Sequence, residues 1–228
     1  MLAFIKFEGG ETMMAKIANV FNMILIITVG IGIYYMFLGN GDNGVFSTSG
    51  IYNLKYFTVL SNCLCGLIAL VTFMWQLRKK KLCMIWKYIA ATEMGLTFFI
   101  IACFLQPIYP NLNMYERGNF WFHLICPLVA MMEFLVLSLG EKKISFVWSF
   151  IPVIPVALYG SCYFLNTMLN GTGKWPNTND FYGFLNWGVP VGMIIFGCIM
   201  LMSWMIALLL RIPNVVVHKM HRNHSVKI

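Results

Sequence analysis

Residues 188–210 read GVPVGMIIFGCIMLMSWMIALLL, 23 consecutive residues without a charge, closed by Arg211. A helix of about 20 such residues crosses the roughly 30 Å hydrocarbon layer of a bilayer, whereas a soluble core helix is shorter and amphipathic. Five further windows have the same character: 17–38, 56–77, 83–105, 120–139 and 145–169. Hydrophobic residues make up 60% of the 228 and charged residues 11%, against about 45–50% and about 25% in an ordinary soluble domain. A soluble enzyme, a coiled coil and a disordered chain are excluded, and the fold expected is an all-α bundle of six membrane-spanning helices. Residues 1–16 form a short leading segment, 17–210 the transmembrane domain and 211–228 a basic tail. Met13 and Met14 stand just ahead of the first span, so residues 1–12 are read as dispensable. Leu38-Gly39-Asn40-Gly41 lacks a small-x-small cleavage pattern, so 17–38 reads as a retained helix rather than a signal peptide.

The net charge of +8 is distributed as a membrane topology, not as a nucleic-acid footprint. Arg78-Lys79-Lys80-Lys81 separates spans two and three, Lys142-Lys143 separates four and five, and Arg211, Lys219, Arg222 and Lys227 follow span six. With Lys6, Lys16 and Lys87, 13 of the 16 basic residues fall on one side of a six-fold crossing, leaving Lys55, Arg117 and Lys174 on the other. The positive-inside rule then puts both termini in the cytoplasm. The seven cysteines lie in or beside apolar windows and form no CxxC, which reads as thiols packed between helices.

Polar residues inside a span are costly and turn toward the bundle interior. Thr58, Ser61, Asn62 and Cys65 open span two at spacings of three, four and seven, on one helix face. His123 stands at the head of span four, within His123-x3-Pro127-x5-Glu133. Both spans run from the outside inward, so Thr58 and His123 lie at matched depth near the outer interface, the minimum arrangement for a nucleophile and its base. Interhelical hydrogen bonding is the plainer account of the same residues. Glu133 is roughly 15 Å deeper than His123 along the helix, too far to orient the imidazole. Glu93, in mid-span three, is expected to pair with Lys87 or with hydroxyls such as those of Thr92 and Thr97, or to stay protonated; the functional rival is an ion or proton path with Glu133. Tyr159, Cys162, Tyr163 and Asn166 form a polar stripe on span five, and Pro152 and Pro155 predict a bend there. His218, His221 and His224 have metal-like spacing but no acidic or thiol partners, so no metal site is read.

Three short motifs resemble a six-span superfamily: Phe57-Thr58-x-x-Ser61-Asn62, His123-x3-Pro127-x5-Glu133, and Trp175-Pro176-Asn177-Thr178-Asn179-Asp180-Phe181-Tyr182-Gly183-Phe184. It comprises the bacterial predicted six-transmembrane proteins and the eukaryotic androgen-induced and androgen-dependent membrane proteins. The eukaryotic members hydrolyse fatty acid esters of hydroxy fatty acids with a threonine nucleophile and a histidine. The resemblance implies those roles for Thr58 and His123, in a multi-pass protein of the bacterial plasma membrane acting on a lipophilic ester drawn from membrane lipid. Ser61-Asn62 follows the threonine as in the bacterial branch. Asn62, one turn from Thr58, is expected to stabilise the oxyanion, with Ser61 beside it to position substrate. No cofactor is required. The alternatives are a carrier or binding protein for a small lipophilic or ionic ligand, using Glu93 and Glu133, and a non-enzymatic membrane scaffold.

Overall fold

The computed structural model describes residues 13–38, 50–108, 110, 113–174 and 178–225. Among these there is no strand, and six helices are long and apolar enough to cross a membrane, the architecture of a multi-pass membrane protein. Helix α1 is Met13–Leu38 and α2 is Phe57–Leu77, preceded by a 3-10 segment, Gly50–Lys55. Helix α3 runs over Met84–Ile100 and continues through a π-helical stretch, Ile101–Leu105, into a last turn, Gln106–Ile108. Helix α4 starts at Gly118–Phe120, passes through a second π-helical stretch, Trp121–Ile125, and ends as Cys126–Ser138. Helix α5 is Val153–Asn170 and α6 is Val189–Ser225.

Helices α1 to α4 form a ring in which each packs on the next and α4 returns to α1, so α2 and α4 face one another diagonally. Helix α6 lies against α3 and α4, and α5 packs on α6. One apolar core, with Leu25, Val59, Met94 and Phe122, fills the ring; a second, with Tyr88, Leu96, Phe134 and Ala207, joins α3 and α4 to α6. Tyr88 stacks on Phe134 and donates its hydroxyl to the Ala207 carbonyl at 2.6 Å. Close approach sets two of the helix pairs. A Cβ at Gly32 would run into the Phe122 ring, and one at Gly160 would run into the ring of Phe196.

Two helices depart from the sequence reading. In span five, where a bend is predicted, the helix changes type: Val147–Phe150 is 3-10, Ile151 and Pro152 keep right-handed helical angles, and the α-helix proper begins at Val153. Prolines 152 and 155 carry no N–H, and they tolerate the start of a helix far better than its interior. The predicted tail after 210 is helical as far as Ser225. Its first turns are held by the connection between α4 and α5. The Asn214 amide donates to Ser138 O at 2.6 Å, its oxygen accepts from Ile144 N–H at 2.8 Å, and Arg211 Nε donates to Ile144 O at 2.9 Å. His218 Nε2 lies 2.7 Å from Glu141 O, a contact that fastens the helix to the same connection; the side chains of His221 and His224 fall outside the described residues, as do residues 1–12. No metal-holding cluster is present among the described residues. Lys81 and Glu141 pair across the two short connections at that end.

The expected Glu93–Lys87 pair does not form. Six residues along a helix turn the side chain by about 600°, so the two point to different sides. Lys87 instead reaches across the ring, where its Nζ lies 2.9 Å from both oxygens of Glu133 and 2.5 Å from Asn22 Oδ1. Thr92 bonds Tyr88 O and Thr97 bonds Ser61, so neither hydroxyl serves Glu93, both of whose oxygens are buried without a partner among the described residues. The Asn22–Lys87–Glu133 triad ties α1, α3 and α4 together. Removing one partner of a buried ion pair strands the other charge and costs about 3–5 kcal/mol. Lys87→Met is therefore expected to lower the thermal unfolding midpoint in detergent sharply, and Lys87→Met/Glu133→Met to recover most of the loss. Equal destabilisation by the single and double variants would contradict this account.

Candidate functional site

The Thr58 segment and the His123 segment meet because of one missing N–H. In the π-helical stretch of α4, Cys126 N–H bonds the Trp121 carbonyl, five residues back instead of four. Continued one residue, that register asks residue 127 to donate to Phe122 O, but residue 127 is proline and has no N–H. A bare carbonyl inside a membrane bundle costs several kcal/mol. Asn62 supplies the donor: its Nδ2 lies 3.1 Å from Phe122 O and 2.8 Å from Thr58 O. One amide thus bridges the carbonyls of Thr58 and Phe122 and joins α2 to α4 across the diagonal of the ring.

That engagement changes the role read for Asn62. Both amide hydrogens are held by carbonyls, so none is left for an oxyanion, and its own Oδ1 is buried without a partner. Ser61 is likewise engaged. Its hydroxyl donates to Thr58 O at 3.0 Å and lies 3.1 Å from Thr97 Oγ1, which therefore donates to it.

His123 is buried on the π-helical stretch, with Nδ1 2.7 Å from Met114 O. A carbonyl only accepts, so Nδ1 carries the proton and Nε2 presents its lone pair, the tautomer a general base needs. Among the described residues nothing hydrogen-bonds Nε2, and the imidazole and the Thr58 hydroxyl are not bonded to one another. Thr58 and Phe122, the residue before His123, are brought side by side; Glu93 and Glu133 lie apart from them on α3 and α4, Glu133 held by Lys87.

Thr58 faces a cavity of about 300 Å³ between α2, α3, α5 and α6. Its wall is apolar along most of its length, with Ile100, Phe104, Phe164, Ile195, Ile199 and Met202 among the lining residues. Five residues that bear hydroxyls are among those lining it: Thr58, Thr97, Tyr159, Tyr163 and Tyr182. Tyr159 and Tyr163 realise half of the stripe expected on span five, while Cys162 and Asn166 are exposed.

The segment before α6 closes the Thr58 end. The Tyr182 hydroxyl accepts the N–H of Phe57, the first residue of α2, at 2.9 Å and lies 3.3 Å from the hydroxyl of Tyr159, which donates to Lys55 O at 2.7 Å. Tyr163 donates to Asp180, whose other oxygen accepts Leu185 N–H at 3.0 Å. Phe181, Tyr182 and Phe184 pack with Tyr56 and Tyr163 in edge-on and stacked contacts. Burial pushes the Tyr182 hydroxyl up to about 12, so it keeps its proton at neutral pH. This roof is the chemistry missing from the third motif as read in sequence, where only the aromatic run is visible; Trp175, Pro176 and Asn177 lie outside the described residues.

No family model, curated protein or solved structure matches the chain.

The amide bridge predicts a coupling between residues 65 positions apart. Asn62→Ala removes a buried donor and is expected to cost about 1–3 kcal/mol. In a Pro127→Ala background, where the restored N–H gives the helix its own partner for Phe122 O, the same change should cost less, with a coupling of roughly 0.5–3 kcal/mol. Unfolding in detergent across the four-member cycle measures it, and strict additivity would remove the bridge from the account.

Proposed function

We propose that this multi-pass protein is an intramembrane hydrolase of lipid esters, with Thr58 as nucleophile and His123 as general base. The observation that carries the reading is the apolar cavity of about 300 Å³ whose wall bears Thr58 with its hydroxyl unbonded among the described residues. Pockets of this size and lining suit one apolar chain with its polar group at the hydroxyl-bearing end. The tautomer fixed by Met114 O supports the second role, since it leaves Nε2 as the basic nitrogen of His123. The resemblance of the Thr58, His123 and Asp180-to-Phe184 segments to the six-span threonine hydrolases points the same way.

In the proposed reaction Thr58 Oγ attacks the ester carbonyl and passes its proton to His123 Nε2. The proton then goes to the departing alcohol as the tetrahedral intermediate collapses. Water, activated by the same imidazole, cleaves the acyl-threonine and regenerates the hydroxyl. The Asn62 bridge holds the two segments in register and is assigned a positioning role. In this structure Thr58 and His123 are unbonded and His123 is not among the residues lining the cavity, so the proposed proton transfer requires the two to approach when substrate enters.

The charge distribution supports a cytoplasmic Arg78–Lys81 and Lys142–Lys143 end, with both termini, and a Thr58 end at the opposite face; the resemblance to the bacterial branch supports a bacterial plasma membrane. A carrier reading draws on one observation, the two unpartnered buried oxygens of Glu93, whereas Glu133 is held by Lys87. It is separated from the hydrolase by which residue abolishes activity: Thr58→Ala for the enzyme, Glu93→Gln for the carrier.

The deciding measurement is covalent labelling of the purified protein with a lipophilic fluorophosphonate, followed by peptide mapping. An adduct is expected on Thr58, absent in Thr58→Ala and reduced at least about 10²-fold in His123→Ala, the scale of a general-base contribution. An adduct on Ser61 or Cys126, or none on a folded protein, would overturn the assignment.

A further inference from the structure

An ester hydrolase needs a hydrogen-bond donor where the carbonyl oxygen becomes negative, and the amide of Asn62 is already held by two carbonyls. A side-chain donor must then come from another residue on the cavity wall. Of the five hydroxyl-bearing residues there, three have committed their protons within the protein: Thr97 to Ser61, Tyr159 to Lys55 O, and Tyr163 to Asp180. Thr58 is the nucleophile. The fifth is Tyr182.

Its surroundings fit the task. The Tyr182 oxygen accepts the N–H of Phe57 at 2.9 Å, so a lone pair is occupied and its own proton is left to point elsewhere. Its hydroxyl contact with Tyr159 is 3.3 Å, a long one that a carbonyl oxygen could displace. Phe57 is the immediate neighbour of Thr58, and residues 57, 58 and 182 line the same cavity. The ring is fixed by Tyr56 and Phe181 and by stacking on Phe184 at 5.2 Å, so the hydroxyl is held in place before substrate arrives.

We propose that Tyr182 is a further catalytic residue, donating its O–H to the carbonyl oxygen of the bound ester as that oxygen becomes negative. This rests on the Thr58 hydrolase reading. As Thr58 Oγ bonds to the carbonyl carbon, the carbonyl π pair moves onto oxygen; Tyr182 keeps its proton throughout and hydrogen-bonds that oxygen. The Thr58 proton goes to His123 and leaves with the alcohol. The Phe57 N–H polarises the Tyr182 hydroxyl from behind and makes it a stronger donor.

The test is the fluorophosphonate reaction of the full chain, followed as maximal labelling rate and half-saturating probe concentration, for wild type and Tyr182→Phe. Loss of one oxyanion donor lowers rates by about 10²–10³-fold. The expected result is a maximal labelling rate at Thr58 lower by at least about 10², with unchanged half-saturation and unchanged binding of a non-reactive fluorescent fatty acid. A wild-type rate in Tyr182→Phe overturns the proposal and leaves the Thr58 assignment standing. A parallel loss of rate, fatty-acid binding and thermal stability assigns Tyr182 to packing of the roof and also overturns it. Wild-type protein that does not label on Thr58 brings down the hydrolase reading, and this proposal with it.

Discussion

Inside a bilayer every backbone carbonyl must find its donor within the protein, and Pro127 leaves one without it. That single deficit organises the Thr58 end of the molecule. The π-helical stretch of α4 moves the hydrogen-bond register by one residue, the orphan falls on Phe122, and Asn62 answers from the opposite helix. Because the same amide also holds Thr58 O, the start of α2 and the turn carrying His123 are one hydrogen-bonded unit. A second such stretch, Ile101–Leu105, precedes Pro107 in α3 and relieves the same kind of clash. Irregular backbone is tolerated at membrane depth where neighbouring helices satisfy it, and both π-helical stretches lie at the Thr58 end of the bundle.

The opposite solution governs the other half of the ring. There the polar groups are charged, and a lysine, a carboxylate and an amide meet in the space between α1, α3 and α4. Such a triad adds little net stability over a well-packed apolar core, but it rejects any rotation of those helices that would part the charges. The two devices divide the work. The ion pair fixes which face each helix presents, and the amide bridge fixes how deep α2 and α4 sit relative to one another.

Much of the architecture is legible in the order of the residues alone. The six apolar windows locate the six spanning helices within a few residues at most ends, because hydrocarbon thickness leaves little latitude in length. The face carrying Thr58, Ser61 and Asn62 also follows from helical spacing. What periodicity does not encode is which partner answers across space. Lys87 pairs with a residue 46 positions away on α4 instead of Glu93 on its own helix. The use of Asn62 depends on a proline 65 positions further on, a relation that neither segment reveals by itself. The helical run past Arg211 is hidden for a related reason, since Arg211 and Asn214 are held by carbonyls of the connection between α4 and α5.

Helix α5 has a different standing from the other five. Its one broad contact is with α6, through the Gly160–Phe196 approach, while the cavity separates it from α2 and α3. Elsewhere it is held by single side chains, through Tyr159 and Tyr163 in its middle turns and through Asn166, Thr167 and Asn170 against Asn179 at its end. The free energy needed to swing it outward is therefore lower than that needed to part the ring. Ile154, Leu158 and Leu165 are exposed on α5, so an outward swing of this helix would open the cavity sideways onto hydrocarbon. An apolar chain taking that route would stay in the oily phase, and its capture would carry no penalty for crossing water.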